Sequence, residues 1–263
     1  PIFLKQSLSG IITLGYLDST THSPNESVSF LTRVEEDQVQ ARQLADQVAV
    51  ALSNAQLIKE LEQLNWGTLT ALARAVDAKS PWTAGHSERV TDLALKIGEL
   101  LGMDQRELDA LNRGGLLHDA GKIGVPVAIL DKPGKLTDEE YNIVKRHPGT
   151  GARILEPITA YAEVVPIVLQ HHERFDGKGY PDGLGGEAIC LGARILAVAD
   201  VFDALVSDRP YREGWEPKRA VELIMQEAGW QFDPKVVVAF LEVMAQEEKA
   251  PQRLRLTTSF AYR

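Results

Sequence analysis

The chain has 263 residues, 44% hydrophobic and 25% charged, with a formal net charge of −9 and a single cysteine. This is enough apolar material for one large domain, or for one domain with a smaller piece. The acidic balance argues against a duplex-DNA binder, which neutralises phosphates with a net basic face.

One cysteine allows no disulfide framework, which fits a reducing compartment. No apolar run reaches the roughly 20 residues that span a bilayer, and no secretory leader is visible. The sequence therefore reads as cytoplasmic, and its start at Pro1 within an apolar stretch reads as the interior of something longer.

Residues 9 to 17, Ser-Gly-Ile-Ile-Thr-Leu-Gly-Tyr-Leu, carry β-branched and apolar residues punctuated by glycine, which predicts a strand. The turn-rich stretch after it, to Glu26, holds His22 as a solvated loop residue. From about 35 to 79 there is no proline and one glycine, and the spacing predicts one long helix. Leu44, Val48, Ala51, Ala55, Ile58, Glu62, Asn65, Leu69, Leu72 and Val76 step alternately by four and three, a heptad-like seam. Two readings stand: a helix packed on its own domain, or a two-stranded coiled coil relaying a signal between domains. Glu62 and Asn65 weaken the second locally.

Beyond Pro81 the apolar spacing predicts helices over 86–101, 104–118, 137–147, 161–172, 190–207, 217–228 and 234–247, with no strand pattern. Thr137-Asp-Glu-Glu140 has the form of a capping box, and Pro217 and Pro234 suit first-turn positions. Glycine and proline concentrate in 174–186, which predicts a functional loop. Cys190 reads as a buried small hydrophobe at the start of an apolar helix.

Five of the six histidines, His86, His118, His147, His171 and His172, fall between residues 86 and 172. Two adjacent pairs stand out, His118-Asp119 and His171-His172. Neutral imidazoles with a few carboxylates are the donor set of a catalytic dinuclear metal site. On a helix His118 and Asp119 would point about 100° apart and line one wall, and Lys122 would share the face of His118 and reach a phosphate oxygen. Asp200 and Asp203 interrupt an otherwise apolar helix. A buried acid there is costly without a cationic or metal partner.

The stretches Gly85-His86-Ser-Glu-Arg-Val, Leu-Leu-His118-Asp119-Ala-Gly-Lys122-Ile-Gly, Arg146-His147-Pro-Gly-Thr-Gly, His171-His172-Glu-Arg-Phe-Asp176-Gly-Lys-Gly-Tyr180-Pro181 and Ala-Asp200-Val-Phe-Asp203, followed by Asp208-Arg209-Pro-Tyr-Arg212, resemble the HD-GYP class of HD-superfamily phosphohydrolases. The resemblance covers about 70–247 and implies a mainly α, all-helical bundle. It also implies hydrolysis of cyclic di-GMP to pGpG, or on to GMP, through a hydroxide bridging two divalent ions, iron or manganese.

By the same resemblance His86, His118, Asp119, His147, His171, His172 and Asp200 are metal ligands, Asp119 the bridge and, with Lys122, catalytic. Lys122, Arg209 and Arg212 face phosphate. Asp203 is a partner on the substrate side that orients one of these groups or a ligand, and Tyr180 and Pro181 shape the pocket lip. Some members carry a glutamate four residues before the first histidine that helps to bind a third ion. Trp82 stands there, so two ions are expected.

The first 55 residues resemble the tail of a GAF sensor domain, at Ser9-Gly-Ile-Ile-Thr-Leu-Gly and Leu44-Ala-Asp-Gln-Val-Ala-Val-Ala-Leu-Ser-Asn54-Ala-Gln-Leu. The expected organisation is a small β remnant over 1–34, a coiled-coil-like helix over 35–80 supporting a homodimer, a catalytic domain over 81–250 and a tail over 251–263. A GGDEF-type domain is a partner on resemblance alone. The competing readings are a cyclic-dinucleotide-binding or partner-docking module without turnover, and an HD nucleotidase acting on mononucleotides, against which the Gly-Tyr-Pro loop speaks.

Overall fold

The computed structural model describes residues 2–4, 7–10, 24–208 and 213–249. The chain divides into two compact units, Pro1–Gly67 and Thr68–Arg263. In the first, β1 (Ile2–Leu4) pairs antiparallel with β2 (Ser7–Gly10), with Phe3 opposite Leu8 and Leu4 opposite Ser7. The strand expected over 9–17 meets this hairpin only at Ser9 and Gly10. Its remainder, 11–17, lies outside the described residues, as do His22 and the tail 251–263.

Helix α1 (Pro24–Asp77) is 54 residues long, begins before the expected position 35 and ends at the second unit. Pro24 suits its first turn, where the missing N–H has no partner to lose. Seam residues Leu44 and Ile58 are exposed, whereas Leu69 and Ala73, which belong to the second unit, are buried. Of the seam residues near the end of the helix Leu69 is buried, whereas Leu72 is exposed.

The second unit is all-helical. After a 3₁₀ turn at Pro81–Thr83 come α2 (His86–Leu100), α3 (Gln105–Leu117), a 3₁₀ turn at Ala120–Gly124, α4 (Val127–Leu130), α5 (Asp138–Val144) and α6 (His147–Leu155). They are followed by α7 (Val164–Gln170), α8 (Leu191–Val206), α9 (Pro217–Gln226) and α10 (Pro234–Lys249). Local chemistry sets the boundaries. Thr137 Oγ1 accepts from the Glu140 amide while the Glu140 carboxylate accepts from the Thr137 amide, the reciprocal cap expected before α5. Asp104 and Glu107 form the same box at α3.

Helix α8 is the central element. Ile195, Leu196, Val198 and Ala199 are buried in it, and α2, α3, α7, α9 and α10 pack against it. A helix surrounded on several faces reads as nearly continuous apolar sequence, as this one does. Close approach depends on glycine. A Cβ on Gly114 or Gly192 would lie 2.7 Å from Ile167 side-chain carbons, and one on Gly115 would lie 2.5 Å from Thr91 Oγ1.

Two expectations are corrected. The helix expected over 137–147 ends at Val144, and His147 opens a separate helix, α6, with Pro148 in its first turn. Proline tolerates that position but would break a continuing helix. Likewise His118 caps the end of α3 and Asp119 starts the tight Ala120–Gly124 turn, so the pair is not inside a helix. Gly121 makes this turn possible, because a Cβ there would fall 1.9 Å from the His147 carbonyl oxygen and 2.6 Å from the Gly151 amide nitrogen. Cys190 is half-buried at the N-cap of α8, and burial pushes its thiol up.

Gly121→Ala is expected to lower stability by about 1–3 kcal/mol, the usual penalty of overpacking. Urea unfolding of the metal-free protein measures it, and the clash with rigid backbone at α6 leaves little room for relief.

Candidate metal centre

The seven expected ligands come from the ends of helices, with Asp200 alone inside one. His86 is the first residue of α2, placed by Gly85 in the left-handed region (φ 69°) and by Asp77, whose carboxylate accepts from the Ser87 amide (3.1 Å) and hydroxyl (2.8 Å). His118 and Asp119 follow α3, His147 opens α6, His171 and His172 follow α7, and Asp200 and Asp203 share a face of α8. His86, His118, Asp119, His147 and His171 are buried.

Three of the imidazoles are oriented in one way. The Nδ1 of His118, His147 and His171 sits 2.6, 2.7 and 2.7 Å from the carbonyl oxygens of Gly115, Val144 and Val168, each three residues earlier. Those carbonyls lie in the last turns of α3, α5 and α7, where helical partners run out. Donation from Nδ1–H fixes the tautomer and turns the Nε2 lone pair inward.

The inward atoms crowd together. His147 Nε2 and His171 Nε2 are 3.2 Å apart, and His118 Nε2 is buried without a hydrogen-bond partner among the described residues. Asp119 lies between them, with Oδ2 3.3 Å from His118 Nε2 and 3.8 Å from His86 Nε2, and Oδ1 3.4 Å from His147 Nε2. Two sets, His86/His118/Asp119 and His147/His171/His172, each bring three ligand atoms within 4.8 Å of one another. Opposed acceptor lone pairs and an orphaned buried nitrogen are what a cation relieves, so these residues fit a metal site.

The electrostatics divide the same way. Burial pushes His86 down, but hydrogen bonds to Asp200 and Asp203 outweigh it and raise it to about 9. His118 is also raised, its burial overcome by the Asp119 charge. Burial drives His147 and His171 down, the latter strongly with help from His172, and His172 is lowered to about 3, mainly by burial. Asp119 and Asp200 resist their own burial and are held low, Asp119 by Lys122 and His118, Asp200 by His86. One set thus offers neutral imidazoles, and the other must release protons to bind a cation.

The remaining expected residues divide. Asp203 stands behind His86, with Oδ2 2.7 Å from Nδ1, and Arg89 grips both its oxygens at 2.7 and 3.0 Å. Its contacts orient the His86 ring. Lys122 donates to Asp119 Oδ2 at 2.5 Å. Tyr180, joined to Pro181 by a cis peptide bond, lies 4.9 Å from the His172 ring and is raised mainly by burial. Trp82 sits in the turn before α2 and is part of neither ligand set. Arg209 and Arg212 lie outside the described residues.

The sequence reading missed several supports. Arg89, three residues after His86, was signalled only by its helical spacing. Lys79 donates to the carbonyls of Lys122, Ile123 and Val125 at 2.6, 2.9 and 2.6 Å, pinning the turn that carries Asp119 and Lys122. Glu173 accepts from the Asp182 and Gly183 amides at 2.7 and 3.0 Å and so shapes the Gly-Tyr-Pro loop from inside. No local pattern marks Lys79, because its partners are more than forty residues away.

The family described as HD domain matches residues 70–236. The chain is 44% identical over 194 residues to the cyclic di-GMP phosphodiesterase response regulator RpfG of Xanthomonas campestris pv. campestris, covering 73% of this chain and 51% of that protein. It is 40% identical over 176 residues to a 3'3'-cGAMP-specific phosphodiesterase of Vibrio cholerae, covering 67% of this chain and 38% of that protein. The chain spans about half the length of these curated relatives, or less. A solved structure of a cyclic GMP-AMP specific phosphodiesterase of V. cholerae shares the fold with a TM-score of 0.54 at 21% identity, over 74% of this chain and 53% of that one. No helix among the described residues is long and apolar enough to cross a membrane.

Two outcomes are expected. Metal affinity of the metal-free protein rises with pH up to about 9, because His86 is raised to about that value and protons compete with the metal for it below; His118, also raised, adds to the dependence. Calorimetry in buffers of differing ionisation enthalpy counts the protons released. Lys79→Met lowers stability by roughly 1–3 kcal/mol, on the scale of lost hydrogen bonds to a charged group, and weakens metal retention, whereas Lys79→Arg recovers part of both. Urea unfolding and dialysis against a chelator read these effects.

Proposed function

The chain belongs to the HD-domain family, and on that premise we propose that it is a metal-dependent phosphodiesterase that opens cyclic di-GMP to linear pGpG. The observation that carries this reading is the pair of adjacent ligand sets, with Asp119 of the first set turning one oxygen to His118 and the other to His147 of the second. That the relatives act by name on cyclic di-GMP and on 3'3'-cGAMP supports the substrate class.

The seven ligands His86, His118, Asp119, His147, His171, His172 and Asp200 would hold two divalent ions, iron or manganese, with Asp119 common to both. Bound there, the ions supply Lewis-acid activation of water and of the scissile phosphate. The protein's own part is positional. Backbone carbonyls fix three imidazoles, and Arg89 with Asp203 fixes His86. Lys122, 24% exposed at its side chain and beside Asp119, is placed to stabilise charge developing on phosphoryl oxygens. Tyr180 and Pro181 close the lip of the pocket, and Arg209 and Arg212 add phosphate contacts.

The organisation proposed around this centre is a GAF remnant over 1–34, α1 as a signalling helix that pairs in a homodimer, and the catalytic domain over 81–250, working in the cytoplasm with a GGDEF-type domain as docking partner. Exposure of Leu44, Ile58, Leu61 and Leu64 along α1 supports pairing. The second reading is a binding module without turnover.

Chromatography of products from iron- or manganese-loaded protein separates the two. The expected result is pGpG from cyclic di-GMP with two ions per chain. No linear product with any metal sinks the enzyme reading, and three tightly held ions sink the two-metal count. Asp119→Ala is expected to abolish metal loading and turnover together, and normal turnover in that variant contradicts the assignment.

A further inference from the structure

A cavity of about 420 Å³ adjoins the metal centre. One wall is His171 and His172, and the others include Tyr141, Lys145, Lys178 and Tyr180. Its volume falls at the low end of the roughly 300–1,000 Å³ in which small ligands bury most of their surface. Neither Tyr141 nor Lys145 belongs to any of the motifs that mark the centre.

Lys145 caps α5, two residues before His147. Its ammonium lies 4.5 Å from the Tyr141 ring centroid and 5.6 Å from that of Tyr180. Among the described residues no carboxylate pairs with it. Ring faces steady a cation without occupying its N–H donors as an ion pair would. The charge is therefore positioned in advance and still open to an anion.

Other charges in the cavity agree with this. Lys178 is exposed on the same lining, and no carboxylate pairs with its ammonium among the described residues. Arg174 is committed to Asp176 and Gln231. The one acidic lining residue, Glu173, is 3% exposed; it turns Oε1 to backbone amides, and its Oε2 is buried with no hydrogen-bond partner among the described residues. In a chain of net charge −9, a concave site with two open lysines focuses a local positive field.

We propose that this cavity is a second phosphate subsite, in which Lys145 contacts the phosphodiester that is not being cut; the proposal rests on reading the chain as a cyclic-dinucleotide phosphodiesterase. A cyclic dinucleotide carries two phosphodiesters joined through a nucleoside on each side. When one lies at the ligand sets, the other is tethered next to it. The cavity is next to it, sharing His171 and His172, and holds a compact cation suited to phosphate. Tyr141, 44% exposed, adds a ring on which a base can lean. Lys145 thereby selects two-phosphate ligands over those with one.

The test compares metal-loaded wild type, Lys145→Met and Lys145→Arg on cyclic di-GMP and on bis(p-nitrophenyl) phosphate, which has one phosphodiester and no base. Lys145→Met is expected to lower kcat/KM for cyclic di-GMP about 10- to 100-fold more than for bis(p-nitrophenyl) phosphate, the range of one charge-assisted hydrogen bond. The loss falls mainly in KM, shrinks as salt is raised, and is largely restored by Lys145→Arg. Equal losses on both substrates, with reduced metal content, mean that the residue only supports the centre and overturn the proposal. So does unchanged selectivity, and so does a gap insensitive to salt, which marks a base contact.

Calorimetry with cyclic di-GMP separates the two layers of the argument. Binding without hydrolysis by wild type defeats the phosphodiesterase reading alone, and the affinity of Lys145→Met then decides the subsite. A dissociation constant for the variant equal to that of wild type overturns the subsite. No binding by wild type overturns both.

Discussion

The centre depends on one local interaction repeated three times: an imidazole donating Nδ1–H to the carbonyl three residues before it, at the end of a helix. A helix leaves its last carbonyls without partners and its C-terminus partly negative. In α3, α5 and α7 such a carbonyl is satisfied by His118, His147 and His171, so capping and imidazole orientation are the same bond.

The rest of the fold serves this convergence. Glycine at 114, 115, 121 and 192 lets the helices and the Asp119 turn approach closely enough for the Nε2 atoms to meet. Helix α8 brings Asp200 to the centre and Asp203 to its back, with Arg89 neutralising the latter and the apolar remainder buried. A buried acid such as Asp203 is tolerable only because both oxygens have partners. The end of α1 joins the same scheme. Asp77 holds the start of α2 beside His86, Arg74 pairs with Glu88, and Lys79 holds the turn beside Asp119. Within the second unit, the last residues of the long helix are thus bonded to two ligand-bearing segments.

Much of this was legible in the chain. The clustering of histidines and acids was signalled by adjacent His-Asp and His-His pairs and by acids set in apolar surroundings, and the helices followed from spacing, capping boxes and prolines. What was lost was finer. His118-Asp119 reads as helical because its flanks are helical, and only the contact of Gly121 with the His147 carbonyl explains why the chain turns there. The break between α5 and α6 hides behind a continuous polar-apolar pattern, although Pro148 marks it. Lys79 and Glu173 escaped because their partners are brought together by the fold, and Arg89 and Lys145, although at helical spacing from His86 and Tyr141, meet Asp203 and Tyr180 only in the fold.

The most direct test of the convergence is X-ray absorption at the metal edge, combined with anomalous diffraction, on protein loaded with iron or manganese. The account predicts two ions about 3.5–4 Å apart, each bound through imidazole Nε2, with one Asp119 oxygen on each. A single ion, ligation through Nδ1 of His118, His147 or His171, or an Asp119 carboxylate outside bonding distance of both ions would contradict it.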